Sequence, residues 1–211
     1  MIPRLSEIDF YFITDSKLTK KTIIEDVEAA LIAGVKIIQY REKEKSTKEI
    51  VEEAYQIKEL CRDRALFIIN DRLDIALAVN ADGVHLGQED MPYGTARLML
   101  GHDKIIGLTV HNIEEAVIAQ SLGADYIGAS PIFETKTKMD AGNAVGLRLI
   151  KEIKPKVNIP IVAIGGISLN NVASVIKAGA DSAVAISAVV TKEDVEEECR
   201  RFIVNIRKSK K

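Results

Sequence analysis

The chain repeats one pattern along its length: a short apolar run, a turn and an amphipathic segment. The apolar runs are continuous rather than alternating in polarity, which is typical of parallel strands covered on both faces. They are Phe10–Thr14, Ile37–Arg41, Leu66–Asn70, Gly83–Gly87, Ile105–Val110, Tyr126–Ser130, Ile161–Gly165 and Ala183–Ser187. Eight such units predict a compact (β/α)8 TIM barrel, an α/β fold formed as a single domain by residues 1–211.

Between the runs, apolar residues recur three and four positions apart, as they do on one face of a helix. The predicted helices are Thr22–Ala33, Lys48–Leu60, Glu114–Leu122, Leu147–Ile153, Leu169–Ala178 and Glu193–Ile206. Candidate N-caps precede three of them and glycines follow three, namely Ser46, Asn112, Ser168, Gly34, Gly123 and Gly179. An open doubly wound sheet is the alternative, but Thr14-Asp15-Ser16 lacks the glycine-rich turn typical of that fold.

The composition excludes several classes of function. The net charge of -2 does not favour nucleic acid or an anionic membrane, and no apolar run approaches the length of a membrane span. The two cysteines, Cys61 and Cys199, are far apart and form no C-x-x-C motif. We therefore expect buried free thiols and a cytoplasmic protein without nucleic-acid or membrane partners. The sequence is also compatible with a homo-oligomer.

Cationic and amide side chains follow the second apolar run. Barrel active sites lie at the carboxyl ends of the strands, and alternate strand residues share a face. Gln39, Arg41 and Lys43 can therefore point together, an arrangement that suits a polyphosphate. The alternative is a solvated strand end that continues into Glu42, and the spacing alone does not separate the two interpretations.

Carboxylates follow the third and fourth apolar runs. Asn70 and Asp71 end the third run, and Asp90 comes shortly after the fourth. A helix N-cap would explain Asp71 alone, and a turn ahead of Pro92 would explain Asp90 alone. Together, beside a candidate polyphosphate site, the two carboxylates favour Mg²⁺, which typically uses one or two carboxylates together with substrate phosphates.

The later runs end in hydroxyls and glycines. Thr109 lies near the end of the fifth run, and His111, which follows that run, is most simply a capping or packing histidine. The Pro131–Gly146 segment contains hydroxyls and lysines that suit phosphate capture by a closing loop, although a polar surface loop would look the same. Glycines and a hydroxyl near the last two runs suit a phosphate monoester. Two anion sites, one of them with acidic residues, predict an enzyme that joins a diphosphate ester to a monophosphate.

In these segments the chain resembles the thiamine phosphate synthase family, and the resemblance covers nearly the whole chain. The segments are Gln39-Tyr-Arg-Glu-Lys43, Ile68-Ile-Asn-Asp-Arg72, Gly83-Val-His-Leu-Gly-Gln-Glu-Asp90, Gly123-Ala-Asp-Tyr-Ile-Gly128, Pro131-Ile-Phe-Glu-Thr-Lys-Thr-Lys138 and Ala163-Ile-Gly-Gly-Ile167. The first three, in this order and at barrel spacing, are the most specific. The resemblance implies condensation of 4-amino-5-hydroxymethyl-2-methylpyrimidine diphosphate with a thiazole phosphate, giving thiamine phosphate and pyrophosphate.

The resemblance also implies roles for individual residues. Asp71 and Asp90 would hold Mg²⁺ on the diphosphate. The groups that assist departure of pyrophosphate would be Arg41, Lys43, Thr109 and Lys138. The small-molecule substrates would be bound by Gln39, Tyr40, Arg41, Glu42, Lys43, Asn70, Thr109, Thr135, Lys136, Thr137, Lys138, Gly166, Ile186 and Ser187. Strand alternation nevertheless predicts that Tyr40 faces away from the site.

Three alternative functions remain open at the level of sequence. A thiazole tautomerase of the same superfamily would share the barrel and the thiazole-phosphate corner, with His111 as its acid or base. A sugar-phosphate isomerase or epimerase would share the fold without explaining Asp71 and Asp90. A non-catalytic binding protein would take up thiazole phosphate without turnover.

Overall fold

Eight parallel strands form a closed barrel in chain order. The computed structural model describes residues 5–135, 137 and 142–210. The strands are β1 (Phe10–Ile13), β2 (Ile37–Tyr40), β3 (Leu66–Asn70), β4 (Gly83–Leu86), β5 (Ile105–Val110), β6 (Tyr126–Ala129), β7 (Ile161–Ala163) and β8 (Ser182–Val184). Each strand pairs with the next, and β8 pairs with β1, where Phe10 lies opposite Ala183. The predicted (β/α)8 barrel is confirmed.

The predicted ranges of β3 and β5 are confirmed to the residue, whereas the other six were predicted to extend too far at their carboxyl ends. The last two strands show the reason. After β7, Gly165 and Gly166 have φ values of 102° and 60°, which lie in the left-handed region rather than in extended backbone. After β8, Ile186 has φ -85° and ψ -77° and leads directly into a helix. At these two strands the chain therefore leaves the extended conformation earlier than the apolar runs predict.

Helices cover the outside of the barrel. After a 3-10 helix at Leu5–Glu7 come α1 (Ile23–Ile32), α2 (Thr47–Cys61), α3 (Leu73–Ala78), α4 (Tyr93–Leu100), α5 (Ile113–Leu122), α6 (Gly146–Ile153), α7 (Val172–Lys177), α8 (Ser187–Val190) and α9 (Val195–Ser209). The sequence did not predict α3, α4 or α8. These helices have 6, 8 and 4 residues and so offer few repeats of an apolar stripe, although α6 and α7 are equally short and were predicted.

Two of the three predicted N-caps are confirmed. The Ser46 side chain accepts from the backbone N–H of Glu49 in a complete capping box, and Asn112 accepts in the same way from Glu115. The prediction for Ser168 was wrong, because Asn171 is the N-cap of α7. The backbone N–H of Ser168 donates to the Asn171 side chain at 2.9 Å, so Ser168 belongs to the turn that precedes the helix.

Strand alternation divides the apolar side chains between two cores. Ile38 and Tyr40 of β2 belong to the large core between strands and helices. A smaller core fills the barrel itself and includes Tyr11, Ile68 and Tyr126, all of them essentially inaccessible to solvent. Burial of each such large side chain contributes on the order of 1.5–3 kcal/mol. The inner core fills the interior of the barrel and leaves the end formed by the carboxyl ends of the strands open for a site.

Candidate active site

A cavity of about 330 Å³ lies at the carboxyl ends of the strands. A wider cavity of about 1110 Å³ adjoins it and shares Arg41, Lys43, Asp71 and Thr109 among its lining residues. The smaller cavity brings together most of the residues that the sequence placed at the site, namely Gln39, Arg41, Lys43, Asn70, Asp71, Thr109, Thr135, Thr137, Gly166, Ile186 and Ser187. Asp90 lines the wider cavity.

One wall of the site presents cations that are already held by carboxylates. Arg41 Nη1 donates to Asp15 Oδ2 at 2.8 Å, and the Asp15 side chain is only 6% exposed. The backbone N–H of Arg41 also donates to the Thr14 hydroxyl at 2.9 Å. Lys43 Nζ forms an ion pair with Asp71. The guanidinium is therefore oriented by Asp15 in the turn that follows β1. This partner was missed from the sequence because Thr14-Asp15-Ser16 was compared only with a glycine-rich turn.

Asp71 and Asp90 lie close together beside these cations. Asp90 Oδ2 accepts from the backbone N–H of Gly87 at 2.6 Å, and Asn70 Nδ2 donates to Asp71 Oδ1 at 2.7 Å. Burial raises the pKa of Asp90, the Gly87 N–H opposes that shift, and the neighbouring Asp71 carboxylate raises the pKa further. The two carboxylates therefore repel each other in the absence of a cation.

The backbone at Asp71 is held in the left-handed region, with φ 59°, which is uncommon for a residue other than glycine. Its N–H donates to the carbonyl of His85 at 2.9 Å, so β4 fixes the turn that follows β3. Local strain of this kind persists only where the surrounding structure determines it, and it is concentrated at functional sites. Here it turns the Asp71 carboxylate toward Lys43 and Asp90.

The acidic pair fits Mg²⁺. A cation between Asp71 and Asp90 would relieve the repulsion that raises the pKa of Asp90. Within residues 5–135, 137 and 142–210, no group of three or more His, Cys, Asp or Glu side chains could hold a metal ion. Mg²⁺ matches a pair, because it usually keeps several waters and takes one or two carboxylates together with substrate phosphate oxygens.

The opposite wall is built from glycine backbone and hydroxyls. A Cβ atom at Gly166 would lie 2.5 Å from the carbonyl oxygen of Glu134, so the close approach of these two segments requires glycine. Ile186 and Ser187, between β8 and α8, line the same part of the cavity. The backbone N–H of Thr137 donates to the Thr135 hydroxyl at 3.2 Å, and both residues line the cavity.

Two histidines also line the cavity. His111 Nδ1 lies 2.7 Å from the carbonyl oxygen of Ser130, so Nδ1 carries a proton and donates it there. His85 lies inside the barrel, with Nε2 at 2.9 Å from Thr109 Oγ1 and Nδ1 at 3.0 Å from the Tyr126 hydroxyl. His85 was not among the predicted site residues. Its place in the cavity could have been recognised from the sequence, because His85 is a polar side chain at an inward-facing position of an apolar strand.

Four predicted site residues are not placed at the cavity. The Tyr40 side chain faces the helices and donates to Glu53 at 2.6 Å, in agreement with strand alternation and not with substrate binding. The buried Glu42 carboxylate turns back to accept from the backbone N–H groups of Lys43 and Glu44. Neither residue lines the two cavities. Lys136 and Lys138 lie outside the described residues.

A closed (β/α)8 barrel with a basic and acidic wall facing a glycine and hydroxyl wall defines a class: barrel enzymes that act on phosphorylated small molecules. Comparison with known proteins narrows the class. Residues 10–189 match the family model described as thiamine monophosphate synthase, and the chain belongs to that family.

Relatives support the assignment along almost the whole chain. A thiamine-phosphate synthase of Methanosarcina barkeri is 58% identical over 207 residues, covering 98% of this chain and 94% of that protein. Another, from Chloroflexus aurantiacus, is 45% identical over 204 residues, covering 95% of this chain and 94% of that protein. A solved thiamine phosphate pyrophosphorylase from Pyrococcus furiosus superposes with a TM-score of 0.90 at 40% identity, covering 98% of both chains.

The resemblance found in the sequence and the expectation of an enzyme of thiamine biosynthesis are thus confirmed. The structure adds one observation about membranes. Among the described residues, no helix is both long enough and apolar enough to cross a bilayer.

Proposed function

We propose that the chain condenses 4-amino-5-hydroxymethyl-2-methylpyrimidine diphosphate with a thiazole phosphate, releasing thiamine phosphate and pyrophosphate. One observation carries the proposal: two chemically different anion walls face a single cavity at the mouth of the barrel. A wall with cations and paired carboxylates suits a diphosphate with its metal, and a wall of glycine backbone and hydroxyls suits a monophosphate.

The diphosphate belongs on the β2–β4 side. Arg41 can bind two phosphate oxygens at once while Asp15 holds its guanidinium in place. Lys43 can exchange its contact with Asp71 for a contact with phosphate. Asp71 and Asp90 would hold Mg²⁺, which would supply charge neutralisation on the departing pyrophosphate.

The chemical step breaks the bond between the pyrimidine methylene carbon and a diphosphate oxygen, and the bonding electrons leave with pyrophosphate. Arg41 and Lys43 stabilise the charge that develops on that leaving group. The aminopyrimidine ring delocalises the positive charge left on the methylene carbon. The thiazole nitrogen then attacks this carbon and forms the new bond, so no nucleophile from the protein is required.

The thiazole phosphate belongs on the β7–β8 side. Gly166 is exposed and lines the cavity, so its backbone can approach a phosphate, and Ser187 and Thr135 add hydroxyl donors. Holding both substrates in one cavity orients the thiazole nitrogen toward the reacting carbon, and orientation of this kind supplies a large part of the rate enhancement in two-substrate reactions.

We also propose a cytoplasmic location, supported by the state of the two cysteines. Cys61 and Cys199 are free and buried. Burial raises the pKa of Cys61 to about 12, so its thiol stays protonated and unreactive. Buried reduced thiols are typical of a reducing compartment.

The test is a product assay with both substrates and Mg²⁺. Thiamine phosphate and pyrophosphate should appear in equal amounts, and chelation of the divalent metal should stop both. Asp71→Ala should suppress both products. The matched control is Asp74→Asn, because Asp74 is a nearby but 59% exposed carboxylate that pairs with Arg72 outside the cavity.

Three results would count against the proposal. Interconversion of thiazole isomers without thiamine phosphate would indicate the tautomerase. Full activity of Asp71→Ala would remove the metal assignment. Binding of thiazole phosphate with no turnover of either substrate would indicate a binding protein.

A further inference from the structure

A chain of buried hydrogen bonds crosses the inside of the barrel beneath the cavity. It begins at Gln39, whose Nε2 lies 2.8 Å from the Tyr11 hydroxyl, and continues over 2.8 Å to the Tyr126 hydroxyl. From there it reaches His85 Nδ1 at 3.0 Å, and His85 Nε2 lies 2.9 Å from Thr109 Oγ1. Gln39 and Thr109, its two ends, both line the cavity.

An amide nitrogen can only donate, so the Tyr11 oxygen accepts from Gln39. The geometry of the Tyr11–Tyr126 contact allows either hydroxyl to donate, and donation from Tyr11 is the direction in which every proton of the relay reaches an acceptor. The Tyr126 proton then goes to His85 Nδ1. A neutral imidazole that accepts at Nδ1 carries its proton on Nε2, which donates to Thr109.

Each of the two tyrosine hydroxyls has one proton with which it can donate a hydrogen bond. Burial raises the pKa of both Tyr11 and Tyr126 above the ordinary value of 10.0, so both are protonated phenols near neutral pH. Both are 1% exposed, so water does not compete for their hydrogen bonds.

Two glycines make room for this relay. A Cβ atom at Gly107 would lie 2.1 Å from the Tyr126 ring, and one at Gly128 would lie 3.1 Å from His85 Cε1. The Tyr126 and His85 rings are also stacked, with 5.5 Å between their centroids. The rings are therefore held in place by the strands around them, which keeps the heavy atoms of the relay within hydrogen-bond distance.

We propose that Tyr11, Tyr126 and His85 are positioning residues that fix the Thr109 hydroxyl as a hydrogen-bond donor toward the pyrimidine diphosphate. Because the Thr109 oxygen already accepts from His85, its own proton is directed to an acceptor in the cavity. The Gln39 carboxamide oxygen is left outside the relay as an acceptor. The placement of the pyrimidine diphosphate beside Thr109 rests on the proposed function, whereas the direction of the relay does not.

The direction is tested on the full chain by ¹⁵N NMR of the histidine ring nitrogens, with His85→Gln used to assign its signals. We expect a neutral His85 with its proton on Nε2, in the absence of any substrate. A proton on Nδ1, a doubly protonated ring or a fast average of both tautomers overturns the relay.

The positioning role is tested by a double-mutant cycle. Tyr126→Phe keeps the ring but cuts the relay, and we expect kcat/KM for the pyrimidine diphosphate to fall about tenfold, the size expected for one lost hydrogen bond. The KM for thiazole phosphate should change less than about twofold. Thr109→Val should cause a similar fall, and adding Tyr126→Phe to it should cost nothing more.

The matched control is Tyr93→Phe, which removes a tyrosine hydroxyl bonded to the Gly123 carbonyl at 2.6 Å, away from both cavities. Thermal unfolding of each variant separates loss of folding from loss of positioning, and Tyr11→Phe provides a second cut if Tyr126→Phe does not fold. Losses from Tyr126→Phe and Thr109→Val that add in full overturn the positioning role. Failure of the proposed function looks different, since even the unaltered chain would then make no thiamine phosphate.

Discussion

The two walls of the cavity bind anions by different physical means. On the β2–β4 side the binding groups are side chains, and each cation already has a carboxylate partner, as with Arg41 and Asp15. On the β7–β8 side the groups are glycine backbone and hydroxyls, around Gly166 and Ser187. The charged side chains can exchange partners when a metal and a leaving group bind, whereas the backbone groups stay in fixed positions. The charge on the substrate changes during the reaction at the β2–β4 side, where the binding groups are ionic.

The strongest way to break this contrast is to alter the backbone wall. Gly166→Ala introduces a Cβ that meets the Glu134 carbonyl oxygen at 2.5 Å, at a φ of 60°. We expect the KM for thiazole phosphate to rise at least about 100-fold. The clash shifts the backbone groups that hold the phosphate, and small shifts of this kind strongly affect oriented reactants. Titration calorimetry should show that pyrimidine diphosphate still binds.

The control for this variant is Gly101→Ala. Gly101 has a similar φ of 78° but open space around its Cβ position, and it lies at the end of α4, away from the cavity. Gly101→Ala therefore introduces the same backbone strain without a steric clash. If both variants lose thiazole phosphate binding equally, the loss reflects strain and folding rather than damage to the phosphate-binding backbone.

A second variant removes charge from the ionic wall. Arg41→Ala should lower kcat/KM for the pyrimidine diphosphate by about 10²–10³-fold, the range found when one group that stabilises developing charge is removed. Steady-state kinetics with each substrate varied in turn should show a nearly unchanged KM for thiazole phosphate. An equal rise in both KM values would mean that the two walls do not act separately.

A third variant alters the support of that cation. Asp15→Asn keeps an acceptor for Arg41 but loses the charge of a buried carboxylate, and we expect a fall of about tenfold in kcat/KM for the pyrimidine diphosphate. Asp82→Asn is the control, because Asp82 pairs with Lys58 at 2.9 Å just before β4 begins, at the opposite end of the barrel. Equal effects of the two substitutions on kinetics would contradict a positioning role for Asp15.

The smallest expected effect concerns stability. The pKa of Asp90 is raised in the folded protein, so the folded state loses stability as the pH rises through that pKa. Asp90→Asn removes this cost and should stabilise the metal-free protein near neutral pH by about 0.5 kcal/mol, a modest value because solvent screens the partly exposed carboxylates. The advantage should disappear as the pH falls below the ordinary Asp value of 3.8, which thermal unfolding across pH can measure.

The barrel could be predicted from sequence because the strand of each unit is recognisable from its own residues. Continuous apolar runs such as Leu66–Asn70 identify buried parallel strands, and the Ser46–Glu49 capping box marks a helix start. Polar residues at strand ends also indicated most of the cavity lining, because all parallel strands end at the same mouth. The local sequence pattern was sufficient to predict those features that depend on a single segment of the chain.

The rest depends on pairings that no single segment contains. The contact between Asp15 and Arg41 exists because β1 lies beside β2, and the relay through Tyr126 needs four other strands to meet inside the barrel. The early ends of β7 and β8 depend on how the backbone turns at Gly165 and Ile186. Tyr40 shows a different limit: belonging to a recognised segment does not give a side chain a place at the site.

The seam between β1 and β8 joins the first strand of the chain to the last, with Tyr11 opposite Val184. During synthesis β1 emerges long before its second partner exists, so the ring cannot be completed until nearly all of the barrel has left the ribosome. Until then the unpaired backbone groups of both edges can recruit strands from other molecules. Once the seam closes, the barrel offers no strand edge for such recruitment.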